Sequence, residues 1–305
     1  MPPIVYHPQY SITWPLDHRF PMSKFRMLRD YLLAREIADP HWFHKPRPVS
    51  VGTLRLVHDP AYIEAFQQGS LDEKRKRRIG MHWYPDLVSR TFAEVGGTVL
   101  TSRLALKHGL ALNTAGGTHH AFPDYGSGYC IFNDIAVAAQ LALKQGLVRK
   151  ILVIDLDVHQ GDGTAFIFRD EPRVFTFSVH GARNFPFRKQ NSELDKALPN
   201  HTGDEAYLAL LKETLPNVLA QVQPDLVFYD AGVDVHEHDR LGKLALTDEG
   251  LYQRDLYVLR TCRQQGFSVA CVIGGGYAED RNQLAPRHAA MFRAAVVVAA
   301  KPVGG

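Results

Sequence analysis

Residues 150–164 read KILVIDLDVHQGDGT, and this stretch decides the predicted fold. A continuous apolar run, Ile151 to Ile154, passes directly into carboxylates, a histidine and glycines. A short run of this kind predicts a strand that is buried on both faces, as in a parallel sheet. In open α/β sheets, functional groups gather at the carboxyl ends of such strands. The sequence therefore predicts an α/β fold with a functional site directly after residue 154.

Asp157 and His159 are the first candidate functional pair. On an extended strand end, residues two apart point to the same side. A carboxylate oxygen and an imidazole nitrogen that converge form half of a zinc site. The alternative is a buried polar strand end in which Asp157 and His159 pair with each other. This stretch alone leaves both interpretations open.

The composition is that of an ordinary globular protein. The chain has 305 residues, 45% hydrophobic and 22% charged, with a net charge of +3. This balance demands neither nucleic acid nor an anionic membrane as a partner. Three cysteines without CxxC spacing (Cys130, Cys262 and Cys271) favour a reducing compartment. With no signal-peptide pattern and no apolar run of about 18 residues, we expect a cytoplasmic protein without a membrane partner.

Candidate strands alternate with candidate helices along the chain. The predicted strands are part of residues 49–57, then 151–155, 174–179, 226–229 and 268–273. The predicted helices are residues 135–144, 206–222 and 250–264, each with apolar positions at helical spacing. This alternation predicts a mainly parallel sheet with helices on both faces. Since no repeat or linker divides the chain, residues 1–305 are expected to form a single domain, although the length would allow two.

The run from Glu73 to Arg78 is the only cluster of charges. Such a run can be a nucleic-acid or targeting patch, or a solvated loop or helix face. The absence of interleaved aromatic residues favours the solvated face.

Four further segments carry side chains with catalytic chemistry. They are residues 115–122 (AGGTHHAF), 126–134 (GSGYCIFND), 225–242 (DLVFYDAGVDVHEHDRLG) and 272–277 (VIGGGY). Each segment alone has a plain structural interpretation, since strand-end aspartates often cap helices and glycines form loops. Together with residues 150–164, they match a complete amidohydrolase site.

Within that site, Asp157, His159 and Asp234 supply oxygen and nitrogen ligands and leave a position open for water. The remaining groups are proton-transfer histidines, the carboxylates that orient them and a phenol for the oxyanion: His119, His120, Asp155, Asp162 and Tyr277.

These motifs resemble the arginase–deacetylase superfamily, and specifically the zinc-dependent histone deacetylases. The resemblance rests on Gly-Gly-x-His-His, Asp-x-Asp-x-His-x-Gly-Asp-Gly and Gly-Gly-Gly-Tyr, and it covers almost the whole chain. Residues 4–13, 51–58, 159–161 and 239–242 look closest to class IV deacetylases. The compact chain is typical of a prokaryotic member. The resemblance implies the arginase–deacetylase fold.

The resemblance also implies a role for each matching residue. Asp157, His159 and Asp234 would hold one zinc ion. His120 paired with Asp162 would be the main general base and acid, whereas His119 paired with Asp155 would act electrostatically. Tyr277 would polarise the acyl carbonyl. The Gly128 carbonyl would accept the substrate amide, and Tyr129 and Phe185 would line the acyl-lysine channel. A structural potassium ion would lie among the carbonyls of Asp155, Asp157, His159 and Val179 and the Ser178 hydroxyl.

Three features depart from the family pattern or lie at its margin. Gln160 stands where many relatives have histidine; we expect it to face away on a strand, with little effect. His236 and His238 flank the third ligand, where rim or structural roles are favoured over metal binding. Asp17 and His18 are expected at the pocket mouth.

The expected function is zinc-dependent removal of an acetyl or longer acyl group from acyl-lysine or a related acyl-amine. Three alternatives stay open: an acetylpolyamine amidohydrolase, an arginase-like hydrolase with two manganese ions, and a scaffold that binds acyl-lysine without turnover.

Overall fold

Eight parallel strands form one continuous sheet in the computed structural model, which describes residues 2–300. The strands are β1 (Ile4–Val5), β2 (Phe43–His44), β3 (Leu110–Asn113), β4 (Ile151–Asp155), β5 (Val174–Gly181), β6 (Leu194–Leu198), β7 (Leu226–Asp230) and β8 (Ser268–Val272). Their order is β2-β1-β3-β8-β7-β4-β5-β6, and each pairing is parallel.

Ten α-helices connect and cover these strands within residues 2–300. They are α1 (Lys24–Ala34), α2 (Val51–Leu54), α3 (Pro60–Gln68), α4 (Glu73–Ile79), α5 (Pro85–His108), α6 (Asp134–Lys144), α7 (Asp162–Phe168), α8 (Asp204–Val222), α9 (Asp248–Gln264) and α10 (Leu284–Ala299). Across this part of the chain, no helix combines the length and apolarity needed to cross a membrane.

Alternate side chains of the central strands enter two separate hydrophobic cores. In β4, Leu152 and Ile154 pack into one core, whereas Ile151 and Val153 pack into the other. Residues of α8, α9 and α10 complete the first core, and those of α6 contribute heavily to the second. Because successive strand residues point to opposite faces, helices cover both sides of the sheet. The predicted α/β fold class is confirmed.

The strand order places four carboxyl-terminal loops beside one another. The central strands β3, β8, β7 and β4 are adjacent, and the candidate residues 115–122, 273–277, 231–242 and 156–162 follow them in that order. Since all four strands run in the same direction, these loops meet at one edge of the sheet.

The predicted strand within residues 49–57 is wrong. This segment contains α2, which begins where the Ser50 hydroxyl accepts a 3.1 Å hydrogen bond from the Thr53 amide. The side-chain cap satisfies a free backbone donor and starts a helical turn, so local capping outweighs the β-forming valines. The other predicted strands and helices are confirmed within a few residues. The basic run lies on α4, and its side chains are exposed or half-buried.

Candidate active site

Asp157 and His159 lie in a tight turn, not on an extended strand end as predicted, because β4 ends at Asp155. The Asp157 amide donates to Asp155 Oδ1 at 3.2 Å, and the His159 amide donates to Asp157 Oδ1 at 2.9 Å. Aspartate side chains that accept a backbone amide two residues on stabilise turns of this kind. The turn nevertheless brings the two side chains together.

The three predicted metal ligands converge in the buried interior. His159 Nδ1 lies 3.0 Å from Asp157 Oδ1 and 3.1 Å from Asp234 Oδ2. One ligand atom from each residue falls within 4.8 Å of the others. The other carboxylate oxygens are held by backbone amides, since Val158 donates to Asp234 Oδ1 at 2.9 Å and Gly275 donates to Asp157 Oδ2 at 2.7 Å. These bonds fix the orientation of the ligands.

The donor set fits a zinc ion. The single hydrogen on His159 Nδ1 can serve only one carboxylate, and among residues 2–300 Asp234 Oδ2 is buried without a hydrogen-bond partner. A side chain on Gly275 would fill the space, since its Cβ would lie 2.6 Å from Asp157 Oδ2. Burial, followed by the charge of Asp157, raises the pKa of Asp234 to about 7. Two carboxylates that repel each other beside an imidazole are what a divalent cation stabilises.

Each catalytic histidine candidate is paired with its predicted aspartate. His119 Nδ1 lies 2.8 Å from Asp155 Oδ2, and His120 Nδ1 lies 2.6 Å from Asp162 Oδ1. The two imidazole rings are 4.2 Å apart, centre to centre. Because each carboxylate occupies Nδ1, the Nε2 atoms are the ones available for proton transfer.

The surroundings give the two histidines opposite protonation preferences. Burial, together with the charge of His119, lowers the pKa of His120 to about 4 in spite of Asp162. Burial also lowers the pKa of His119, but Asp155 and Asp157 outweigh it and raise that pKa well above its ordinary value. A neutral His120 beside a protonated His119 is suited to a base next to a fixed positive charge.

Asp134, which the sequence interpretation did not single out, holds the turn that carries both histidines. Its carboxylate accepts the amides of Gly117 at 3.1 Å and Thr118 at 2.7 Å. Gly117 has a φ of +86°, and a Cβ there would lie 2.6 Å from the Gly274 Cα. Glycine is needed at this close approach of two catalytic loops. An aspartate at the start of a helix such as α6 is otherwise ordinary, so the sequence carried no signal for this role.

Tyr277 follows the glycines after β8 and is fixed by Asp239. Its amide donates a 2.6 Å hydrogen bond to Asp239 Oδ2. Burial, followed by the charges of Asp234 and Asp157, raises the pKa of Tyr277 well above its ordinary value. The phenol therefore stays protonated and can donate a hydrogen bond.

Gly128, Tyr129 and Phe185 form the wall of the cavity above the ligands. Gly128 has a φ of +52°, and a Cβ there would lie 2.7 Å from His120 Cδ2. The Phe185 ring meets the His120 ring edge-on at 4.9 Å, and the Tyr129 ring lies 5.8 Å from the Tyr277 ring. Tyr129 itself has a φ of +67°, a backbone conformation that is costly for a non-glycine residue. The cavity that opens outward from this wall has a volume of about 770 Å³.

Three of the five predicted potassium residues lie on the adjacent strands β4 and β5, and Asp157 and His159 lie in the turn after β4. Asp155 of β4 and Ser178 of β5 are partners in the parallel register, and Val179 follows Ser178. The Ser178 hydroxyl lies 2.9 Å from His180 Nδ1. The potassium ion stays a prediction.

Gln160 lies in the turn after β4 and not on a strand, and it is buried. Its amide group donates to the Gln190 carbonyl at 2.7 Å and to Asp195 Oδ1 at 2.8 Å. It faces away from the ligands, and it ties the metal-ligand turn to the loop before β6.

His236 and His238 differ in their surroundings. His236 is buried, its Nε2 is 3.2 Å from Asp248 Oδ1, and its Nδ1 accepts the His238 amide at 3.0 Å. Because both ring nitrogens of His236 already have partners, the contacts of this residue are structural, and neither nitrogen is free to bind a metal ion. Asp17 and His18 line a shallow cavity beside Tyr129, on the outer side of the channel wall.

Arg254 of α9 is a second residue that the sequence interpretation missed. Its fully buried guanidinium donates to the carbonyls of Gly232 at 2.7 Å and Leu156 at 3.2 Å, and it pairs with Asp255. It thereby braces the two loops that carry the metal ligands. A single arginine on an amphipathic helix resembles a solvated residue, so sequence pattern gives no sign of this burial.

A family model described as the histone deacetylase domain matches residues 18–293. An uncharacterized protein of Picosynechococcus sp. is 55% identical over 96% of this chain and 98% of its own length. Histone deacetylase 2 of Arabidopsis thaliana is 28% identical and covers 91% of this chain and 75% of its own. The acetoin utilization protein AcuC of Staphylococcus aureus is 28% identical over 85% and 72%. The crystal structure of the HDA15 HD domain superposes with a TM-score of 0.81 over 98% of this chain and 91% of that chain, at 18% identity, and thus shares its fold.

Proposed function

Because this chain belongs to the histone deacetylase family, we propose that it is a zinc-dependent amidohydrolase that removes acetyl or longer acyl groups from acyl-lysine or a related acyl-amine. One observation carries this proposal: the Asp157, His159 and Asp234 ligand atoms converge within 4.8 Å beside two histidine–aspartate pairs. Ligands, proton-transfer groups and an access cavity are the parts that metal-assisted amide hydrolysis requires.

A zinc ion held by Asp157, His159 and Asp234 would supply Lewis-acid activation of water and of the amide carbonyl. His120 is neutral and buried, so it can take a proton at Nε2, while Asp162 stabilises the charge that develops on its ring. His119, paired with Asp155, acts electrostatically next to the reacting groups.

The Tyr277 hydroxyl donates a hydrogen bond to the carbonyl oxygen that becomes negative in the transition state. The cavity lined by Gly128, Tyr129 and Phe185 would admit an extended acyl-lysine side chain. We propose that the Gly128 carbonyl accepts the substrate amide hydrogen, which aligns the scissile bond.

An arginase-like site with two manganese ions is the less suitable alternative. Asp162 Oδ1 already lies 2.6 Å from His120 Nδ1 and accepts the Gly163 amide at 3.0 Å. A carboxylate held in this way is poorly placed to bridge a second metal ion. An acetylpolyamine substrate and a non-catalytic scaffold role remain as alternatives. Measurements of turnover on different substrates distinguish both from a lysine deacylase.

The decisive experiment is hydrolysis of a matched panel by zinc-loaded protein. The panel compares acetyl-, octanoyl- and myristoyl-lysine peptides with acetylputrescine, and Tyr277→Phe serves as the blank. We expect a lysine peptide to be preferred, and the best acyl length reports the depth of the pocket. Preference for acetylputrescine would replace the lysine substrate with a polyamine. Zinc binding without turnover of any substrate would support the scaffold.

A further inference from the structure

The mouth of the 770 Å³ cavity is basic. Its lining includes five cationic residues on three chain segments: Arg77, Arg78, Arg183, Arg188 and Lys243. All five side chains belong to exposed residues. The one carboxylate among the lining residues is Asp162, which is buried and bonded to His120. We call the five cationic residues the basic rim.

Helix α4 is docked onto the channel wall by its backbone. The Gly128 amide donates to the Arg78 carbonyl at 3.2 Å, and the Tyr129 amide donates to the Ile79 carbonyl at 2.8 Å. The Arg78 guanidinium stacks over the Tyr125 ring at 3.7 Å, which fixes one charge at the mouth. The charge run that reads as a solvated face in the sequence therefore ends at the substrate entrance.

Residues 183–188 and Lys243 contribute another part of the mouth. Lys243 Nζ donates to the Arg183 carbonyl at 3.0 Å, so these two segments are joined. This bond uses a neutral acceptor and leaves the lysine charge uncompensated. Across the described residues 2–300, no member of the basic rim forms a salt bridge. Exposed Asp124 adjoins Tyr125, and exposed Glu73 lies one turn before Arg77 on α4.

We propose that the basic rim selects acyl-lysine substrates whose flanking residues are aspartate or glutamate. This inference rests on the proposed function and adds the charge class of the substrate. A lysine side chain in the channel places its neighbouring residues across the rim. Because the five charges are spread over three segments around the opening, they suit several separate carboxylates better than one compact anion. Cationic polyamines and lysine-rich segments are repelled by the same field.

The test is kcat/KM for three acyl-lysine peptides with acidic, neutral or basic flanks, at about 20 and 200 mM salt. We expect the acidic peptide to exceed the basic one by about 10-fold or more at low salt, with the ratio shrinking at high salt. Arg77→Glu combined with Arg188→Glu should reverse the order. Lys74→Glu combined with Lys144→Glu is the matched control. It makes the same change in net charge, with Lys74 outside the cavity lining and Lys144 at the far end of α6, about 15 Å from its start.

Binding of the same peptides to the zinc-loaded Tyr277→Phe protein is measured by fluorescence anisotropy. Together with turnover, it tests the selection by charge separately from the amidohydrolase activity. Turnover without a charge preference would overturn the selection by charge and leave the amidohydrolase intact. Binding that favours the acidic peptide, with no turnover by the parent protein, would overturn the amidohydrolase and support the rim. Strong competition by a short single-stranded oligonucleotide, with no acidic preference among peptides, would assign the rim to nucleic acid and refute the inference.

Discussion

The Tyr277 amide donates a 2.6 Å hydrogen bond to Asp239 Oδ2, so a carboxylate from the loop after β7 fixes the proposed oxyanion donor. The second oxygen of Asp239 accepts the amides of Leu241 at 2.8 Å and Gly242 at 3.1 Å. One side chain therefore joins the loops that follow β7 and β8. Asp239 is a positioning residue, since it acts on the reaction through Tyr277.

Asp239→Asn should lower kcat by about 10-fold to 100-fold, because one of the three amides would face an NH₂ group in place of an acceptor. KM and zinc content should change little, since Asp239 is neither a proposed metal ligand nor part of the cavity lining. Steady-state kinetics with metal analysis provides the measurement. Glu237→Gln is the control, because it neutralises an exposed neighbour in the same loop. Equal losses in both variants would contradict the positioning role.

Gly128→Ala should reduce kcat/KM by at least about 10-fold, because the new Cβ would lie 2.7 Å from His120 Cδ2 and 3.1 Å from Phe185 Cε1. The left-handed φ adds about 1–2 kcal/mol of backbone strain. Gly146→Ala separates the two effects, since Gly146 has a φ of +67° and nothing within 4 Å of its Cβ. We expect both variants to lose thermal stability, Gly128→Ala more because of its clash, and only Gly128→Ala to lose activity.

The sequence predicts β4, β5, β7 and β8 because their signal is strong, whereas the four-residue central strand β3 (Leu110–Asn113) is missed. The strands β4, β7 and β8 carry apolar runs of at least four residues bounded by polar turns, and β5 (VFTFSVHG) is rich in β-branched and aromatic residues. The outer strands β1 and β2 have two residues each, and β6 (LDKAL) is only partly buried. Such short segments become strands through pairing with a neighbour, which no local pattern encodes.

The candidate site divides in a similar way. Its ligands and histidines are predicted because each motif combines glycines with carboxylates, histidines or a tyrosine within a few residues. Asp134 and Arg254 are missed because their partners lie far away in the sequence: Arg254 reaches a carbonyl 98 residues earlier. Burial of a charged helix residue depends on packing between elements, so one sequence cannot reveal it.

Tyr277→Phe should lower kcat by about 100-fold, because it removes one hydrogen-bond donor to the developing oxyanion. The zinc content should stay the same, since Tyr277 is not among the three proposed ligands. Activity assays with metal analysis on one preparation check both parts. Full activity in this variant would refute the proposed role of Tyr277.

Zinc should raise the free energy of unfolding of chelator-treated protein by about 2.7 kcal/mol when free zinc reaches about 100 times Kd. The gain arises because Asp157 and Asp234 are buried close together and a cation relieves their repulsion. Asp234→Asn should lose this zinc-dependent gain. Asp170→Asn should keep it, since Asp170 is exposed. Thermal unfolding with and without added zinc is the measurement, and an unchanged response in Asp234→Asn would remove Asp234 from the ligand set.

His58 should make the protein sensitive to mild acid. Its Nδ1 lies 3.0 Å from the Phe122 carbonyl, and its Nε2 accepts the Asn133 amide at 2.9 Å, so both nitrogens are used by the neutral ring. Burial lowers the pKa of His58 from 6.5 to about 4. Between these values the unfolded chain binds a proton that the folded protein does not. The free energy of unfolding therefore has its full value above about pH 6.5 and decreases as the pH falls towards 4.

The loss should approach about 1.4 kcal/mol per pH unit in that window. The pKa values of other buried histidines, including His180, are also lowered. The test is therefore the difference in slope between His58→Gln and the parent protein. In His58→Gln, the number of protons taken up on unfolding should fall by about one, because glutamine does not titrate. The unfolding free energy should therefore depend less steeply on pH. His44→Gln, at an exposed position, should leave the slope unchanged. Urea unfolding at pH 5 and pH 7 measures both slopes, and equal slopes for His58→Gln and the parent protein would show that His58 is not the titrating group.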